Sequence, residues 1–210
     1  MSKTWYLPLP GTPKSQIPTP TLLIDQEVLE ANITLTAQFF KNNSAKLRPH
    51  FKTHKSPLLA KKRIKAGAIG MTCAKLGEAE VLVEAGSYLF MDTKYRQLGL
   101  PFRCALTLLA TVISVLSPSR AIIDAGMKVI STDNGLPEVI APTGVTLSAL
   151  HEEHGILDID PAWIQLQVGE RVELIPSHIC TTVNLHDRYY ALRNGMLEAI
   201  WPITGRGKSQ

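Results

Sequence analysis

Cysteine is scarce. The chain has 3 in 210 residues, widely spaced, which excludes a disulfide framework and fits a reducing compartment. Aromatic side chains make up only 6% of the sequence and do not interleave with the basic residues, so there is no stacking platform of the kind that binds single-stranded nucleic acid. The longest apolar run, Cys104 to Leu116, is interrupted by Thr107, Thr111 and Ser114. It falls short of the roughly 20 residues that a membrane-crossing helix needs. Met1 to Pro20 is Pro-rich and has no apolar core of the signal-peptide type, so the expected location is the cytoplasm. Neither a Walker-type loop nor a dinucleotide glycine fingerprint occurs, and there is no internal repeat or low-complexity tract.

What remains is an ordinary globular composition, 45% hydrophobic and 19% charged. The net charge of +4 is mild and suits an anionic small molecule better than nucleic acid or a membrane surface.

After the extended Met1–Pro20 segment, Thr21 to Ile24 reads as a short buried strand, with Asp25 as the N-cap of a helix whose stripe is Leu29, Ile33, Ala37 and Phe40. Lys46 to His50 is a second extended segment. Ser56-Pro57 starts a second helix and Gly67 ends it. Ala68 to Cys73 is expected as a third strand, and Gly77 to Ala85 as a third helix stopped by Gly86. This βαβαβα grammar begins a parallel sheet or barrel. From Ser87 onward strands dominate: Ser87 to Met91, Ala105 to Leu116, Arg120 to Asp124, Val145 to Leu150 and Arg171 to Ile175. A hairpin is expected over Tyr189 to Ile203, because Asn194-Gly195 supplies the positive φ angles of a type I′ turn. The fold class is therefore α/β plus all-β: about three βα units (residues 21–86) followed by an antiparallel β domain (87–210). A closed (β/α)₈ barrel takes roughly 250 residues, so three units cannot close one.

The chemistry concentrates in Leu47-Arg48-Pro49-His50-Phe51-Lys52-Thr53-His54-Lys55. Crowded cations favour the neutral amine of a lysine, the form that attacks carbonyls, and Lys52 is the candidate nucleophile. It lies just beyond the second strand, at the edge where parallel α/β sheets place ligands. The competing reading is a solvated basic face of Lys46, Arg48, Lys52 and Lys55 with Lys61, Lys62, Arg63 and Lys65. Thr72 to Glu78, at the end of the third strand, is expected on the same edge. Farther along, His178-Ile179-Cys180 follows an apolar run. If the chain is still extended there, the two side chains share one face and a single zinc ion can take both, though from the residues alone a buried cysteine beside a hydrogen-bonded histidine is the commoner arrangement. His186-Asp187 and Glu152-Glu153-His154 read as turns or caps.

Four stretches carry a resemblance: Pro18 to Asp25, Leu47 to Lys55, Gly70 to Glu80, and Pro176 to Asp187. Together they resemble the D-threonine aldolase and D-serine dehydratase family, which has the alanine-racemase type of fold. Asp124 to Asp133 and Glu152 to Gly155 resemble its C-terminal half. The resemblance implies a pyridoxal 5′-phosphate barrel and a β domain, with Lys52 as the imine-forming lysine, His50 beside it in the cofactor-binding set, and His178 with Cys180 as the metal pair. Histidine with cysteine is the dehydratase pattern and implies zinc, or another divalent metal, and a D-serine-like substrate. The family's aldolase branch instead cleaves Cα–Cβ. The family's central section has no counterpart here, since Ala85-Gly86 runs into Ser87-Tyr88-Leu89-Phe90. Activity is accordingly expected to be impaired, and an open sheet edge would pair with a second copy, which makes a non-catalytic interaction module the alternative.

Overall fold

A computed structural model describes residues 7–41, 43–72 and 87–207. Strand β1 (Thr21–Asp25) buries four successive residues and ends on exposed Asp25. The Asp25 carboxylate accepts from the backbone N–H groups of Glu27 and Val28, both at 3.0 Å, and so starts helix α1 (Gln26–Lys41). That helix buries Leu29 and Ile33 of the expected stripe, together with Val28, Asn32 and Thr36, whereas Ala37 and Phe40 are only half-buried. Helix α2 (Pro57–Lys65) begins with proline at its first turn after extended Ser56, and Gly67 at φ +106° follows its end.

Strand β1 does not open a parallel βα layer, contrary to the sequence expectation. It lies between β2 (Leu106–Ser117), to which it is antiparallel, and β8 (Arg188–Arg193), to which it is parallel. A continuous apolar run specifies a strand buried on both faces but carries no information about its neighbours. Residues 47–51 and 69–72 do run side by side. The Ile69, Thr72 and Phe51 N–H groups bond to the carbonyls of Leu47, Pro49 and Thr72, and His50 and Thr72 form a parallel bridge. Cys73 and the helix expected at Gly77 to Ala85 lie outside the described residues.

The remaining strands are β3 (Arg120–Ile123), β4 (Glu138–Ala141), β5 (Val145–Leu150), β6 (Gly155–Ile159), β7 (Arg171–Ile175) and β9 (Met196–Pro202). The main path runs β5-β6-β3-β2-β1-β8-β9, while β7 pairs with β2 and β4. Strand β2 joins the parts: its first residues pair with β1, its middle with β7, and its end with β3. Apart from β1 with β8, every named pairing is antiparallel. The expected hairpin forms, with Asn194 and Gly195 at φ +50° and +72°. Ser87–Leu89 is a 3₁₀ turn rather than the expected strand, and Asp92 then caps the short helix α3 (Thr93–Arg96) by accepting from Tyr95 N–H at 2.9 Å.

Leu22, Ile24 and Leu29 share one core with Phe90, Leu106, Leu108, Leu174, Tyr189 and Trp201. Among the described residues, no helix is long and apolar enough to cross a membrane.

Candidate functional site

The Lys52 loop is bolted down on either side of the lysine. Phe51 is fully buried, Lys52 is exposed, and Thr53, His54, Lys55 and Ser56 are again buried. The N–H groups of His54 and Lys55 both reach the Phe51 carbonyl, closing one helical turn. Tyr189 donates its hydroxyl to the His54 carbonyl at 2.7 Å, and Gly205 donates its N–H to the Lys55 carbonyl at 2.9 Å. Gly205 has to be glycine, because a Cβ there would stand 2.5 Å from Phe51 Cε1. The backbone N–H of Ser56 donates to His54 Nδ1, which puts the neutral-ring proton on Nε2. Burial, aided by the Arg63 guanidinium, holds His54 well below the usual histidine range. His54 is therefore neutral and drops out of the cation crowding that the sequence implied. His50 is exposed, and its backbone forms the bridge to Thr72.

The solvated basic face also needs correction. Arg63 is 1% exposed, donates to Tyr88 Oη at 2.9 Å and stacks on that ring. Lys62 pairs with Glu30 at 2.8 Å and lies over Trp201. Arg63 and half-buried Lys62 are thus taken up by aromatic faces and a carboxylate, while Lys46, Arg48, Lys52, Lys61 and Lys65 remain exposed.

The second half of the site follows β7. The strand stops at Ile175, before Pro176. His178 keeps extended backbone (φ −145°), but Ile179–Val183 is a short helix, α4. The expected extended His178-Ile179-Cys180 face is therefore absent. The Thr182 hydroxyl bonds back to the His178 carbonyl at 2.8 Å, satisfying in a turn the backbone group that a ladder would have used. His178 Nδ1 lies 2.6 Å from Asp133 Oδ2, and the Cys180 thiol meets Thr53 Oγ1 at 3.5 Å. Asp133 also accepts from the hydroxyls of Ser131 (2.6 Å) and Thr181 (3.0 Å). Partial burial pushes Asp133 upward, but these hydrogen bonds outweigh it and leave the carboxyl below its ordinary value. Burial, with Cys180 nearby, pushes the Tyr189 phenol well above its own.

The tertiary structure thus joins Cys180 to the residue after Lys52, across 127 positions of sequence. Among the described residues, no group of three His, Cys, Asp or Glu side chains forms a metal cage. His186 is a structural histidine whose Nε2 bonds to the Val129 carbonyl at 2.6 Å, with burial holding it below its usual range. Glu152 to His154 is the turn between β5 and β6, with Glu153 paired to Lys128. Of the Thr72 to Glu78 stretch, only Thr72 is described. Sequence reasoning missed Asp133, Thr53 and Tyr189. The available signals were that Asp133 ends the Asp124 to Asp133 motif and that Thr53 lies within Leu47 to Lys55.

Residues 105–192 match the family model of the putative serine dehydratase domain. A D-threonine aldolase of Arthrobacter sp. is 39% identical over 132 residues, covering 61% of this chain and 35% of that enzyme. The chain belongs to the D-threonine aldolase and D-serine dehydratase family. Another relative, an uncharacterized protein of Mycobacterium tuberculosis, is 32% identical over 130 residues, 56% of this chain and 97% of its own length. The D-threo-3-hydroxyaspartate dehydratase of Delftia sp. is 38% identical over 135 residues, 52% of this chain and 35% of the enzyme. The chain therefore spans about a third of the length of the curated enzymes it matches.

Among solved structures, the D-threonine aldolase from Filomicrobium marinum superposes with a TM-score of 0.90 at 20% identity, over 97% of this chain and 100% of that one. The Delftia dehydratase gives 0.79 at 18%, over 91% and 98%. An ala racemase-like protein from Idiomarina loihiensis also superposes, with a TM-score of 0.71 at 17% identity over 92% of this chain and 99% of that one, so the fold is alanine racemase-like. That dehydratase has also been solved with a histidine replaced by alanine, and with a cysteine two residues further on replaced by alanine in a metal-free form.

Proposed function

We propose that this chain is a shortened pyridoxal-phosphate lyase of D-hydroxy amino acids, of the D-serine dehydratase type, built on Lys52, His178 and Cys180. The contact of the Cys180 thiol with Thr53 carries this reading, because it makes one site of two motifs that lie far apart in sequence. Support comes also from the Delftia dehydratase, in which a histidine and a cysteine share the spacing of His178 and Cys180.

The residue types suit the two groups, although the helix at Ile179–Val183 removes the extended face that the pair was expected to share. Lys52 would carry the cofactor from an exposed position on a braced loop, with His50 in its binding set. His178 and Cys180 would hold zinc through imidazole and thiolate, the pair that favours it over magnesium or calcium. When bound, pyridoxal phosphate supplies an electron sink for charge at the substrate Cα, and zinc supplies a Lewis acid for the β-hydroxyl. Lys52 removes the α proton and Asp133 steadies His178. Elimination of water from D-serine would leave an enamine, whose imine tautomer takes up a water and releases ammonia to give pyruvate.

We read the shortening as internal: the matched stretch is only 35% of the Delftia enzyme while the structural match extends over 98% of that chain, which supports the reading. Weak phosphate binding is expected, since the cradle in the family's central section is lost.

The test is the absorbance of the purified full chain with pyridoxal phosphate and zinc, followed by product analysis with D-serine and D-threonine. An imine band that vanishes in Lys52→Ala, with pyruvate from D-serine, is the expected result. An identical spectrum in the variant removes Lys52 from the site. Glycine and an aldehyde from D-threonine would select the aldolase branch, to which the Arthrobacter match, over 61% of this chain against 52% for the Delftia dehydratase, lends support.

A further inference from the structure

We infer that Asp133 is the positioning residue that fixes the tautomer of His178, holding the ring proton on Nδ1 and leaving Nε2 as the free donor atom. The inference rests on the reading of His178 as a metal ligand only for its consequence; the tautomer itself follows from hydrogen bonding.

His178 Nδ1 stands 2.6 Å from Asp133 Oδ2. An ionised carboxylate only accepts, so the proton between the two atoms belongs to Nδ1. In the neutral ring the lone pair then sits on Nε2, the arrangement in which a carboxylate-backed histidine presents its other nitrogen to a metal. The carboxylate is itself fixed, because its second oxygen, Oδ1, takes hydrogen bonds from Ser131 Oγ at 2.6 Å and Thr181 Oγ1 at 3.0 Å. The segment bearing Asp133 is tied to the one bearing His178 by two more bonds: Ser131 N–H donates to Thr182 Oγ1, and the Ser177 hydroxyl donates to the Ser131 carbonyl. A turn after β7 and a loop between β3 and β4 are thereby held as one unit around the ring. Among the described residues, Asp133 bonds to His178, Ser131 and Thr181 and not to Cys180 or the Lys52 loop, so its action is exerted through His178.

The experiment uses the full chain labelled with ¹⁵N at histidine and studied by long-range ¹H–¹⁵N NMR at a pH where the imidazole is neutral. His178→Gln assigns the signal. The expected wild-type spectrum shows His178 protonated at Nδ1. Asp133→Ala should move it to the Nε2-protonated form that an unrestrained ring prefers, and lower zinc affinity about 10- to 100-fold. Asp133→Asn keeps an acceptor oxygen, so it should restore the Nδ1 form and much of the affinity, which a purely structural role would not produce. An Nε2-protonated His178 in the wild type overturns the proposal even if Asp133→Ala fails to fold, and so does an unchanged tautomer in folded Asp133→Ala. Zinc binding equal in wild type and His178→Gln, with the tautomer as expected, would instead remove the metal reading and leave Asp133 in its role.

Discussion

The sheet and the segment 43–72 are held by different means. In the sheet, each strand pairs with its neighbour over successive residues, and β2 is shared by three partners. In 43–72, three backbone bonds and one parallel bridge, His50 with Thr72, do the corresponding work. The Lys52 loop is nevertheless closely packed, because the sheet side supplies its fasteners: Tyr189 from β8, Gly205 after β9 and Cys180 from α4. The position of the candidate lysine is thus dictated by residues more than 120 positions later in the chain.

The largest expected effect tests the sheet. Leu22 is fully buried in the interior strand β1, and Leu22→Ala should cost about 2–5 kcal/mol in denaturant unfolding, loosening sheet and loop together. Loss of the loop's signals with the sheet intact would contradict the dependence described here. Next comes Tyr189→Phe, which keeps the ring and leaves the buried His54 carbonyl without its donor, for about 1–3 kcal/mol. Hydrogen exchange should rise in residues 51–56 well before the sheet; uniform change would mean that the two regions open as one.

The smallest effect is a pH dependence. Burial lowers His54 and His186 in the folded state, whereas the unfolded rings titrate near about 6.5. Below that pH the unfolded chain binds protons that the folded chain refuses, so stability falls on acidification, by at most about 1.4 kcal/mol per pH unit per ring, and is flat above it. In urea titrations between pH 7.5 and 5, His54→Gln should remove part of this slope. A slope identical to wild type would show that His54 is not buried neutral.

Legibility in the sequence tracked distance along the chain. The starts of α1 and α2, the β8–β9 turn, and strands β2, β3, β5 and β7 were readable, because caps, proline, Asn-Gly and apolar runs act within a few residues. Strands β4 and β6 were not. The first is short and mostly exposed, the second follows a charged turn, and pairing rather than composition makes them strands. The reversal of His178-Ile179-Cys180 from strand to helix was equally hidden, since it depends on where the Thr182 hydroxyl bonds.

By itself the sequence determined Lys52, His178 and Cys180 as the chemistry to watch, and the family to which they belong. Only the tertiary structure decided that β1 sits between β2 and β8, that His54 is neutral, that Asp133 backs His178, and that Thr53 meets Cys180. The physical reason is the same throughout: backbone preference is a local property, whereas burial, charge state and contact depend on which distant residues fill the space around a side chain.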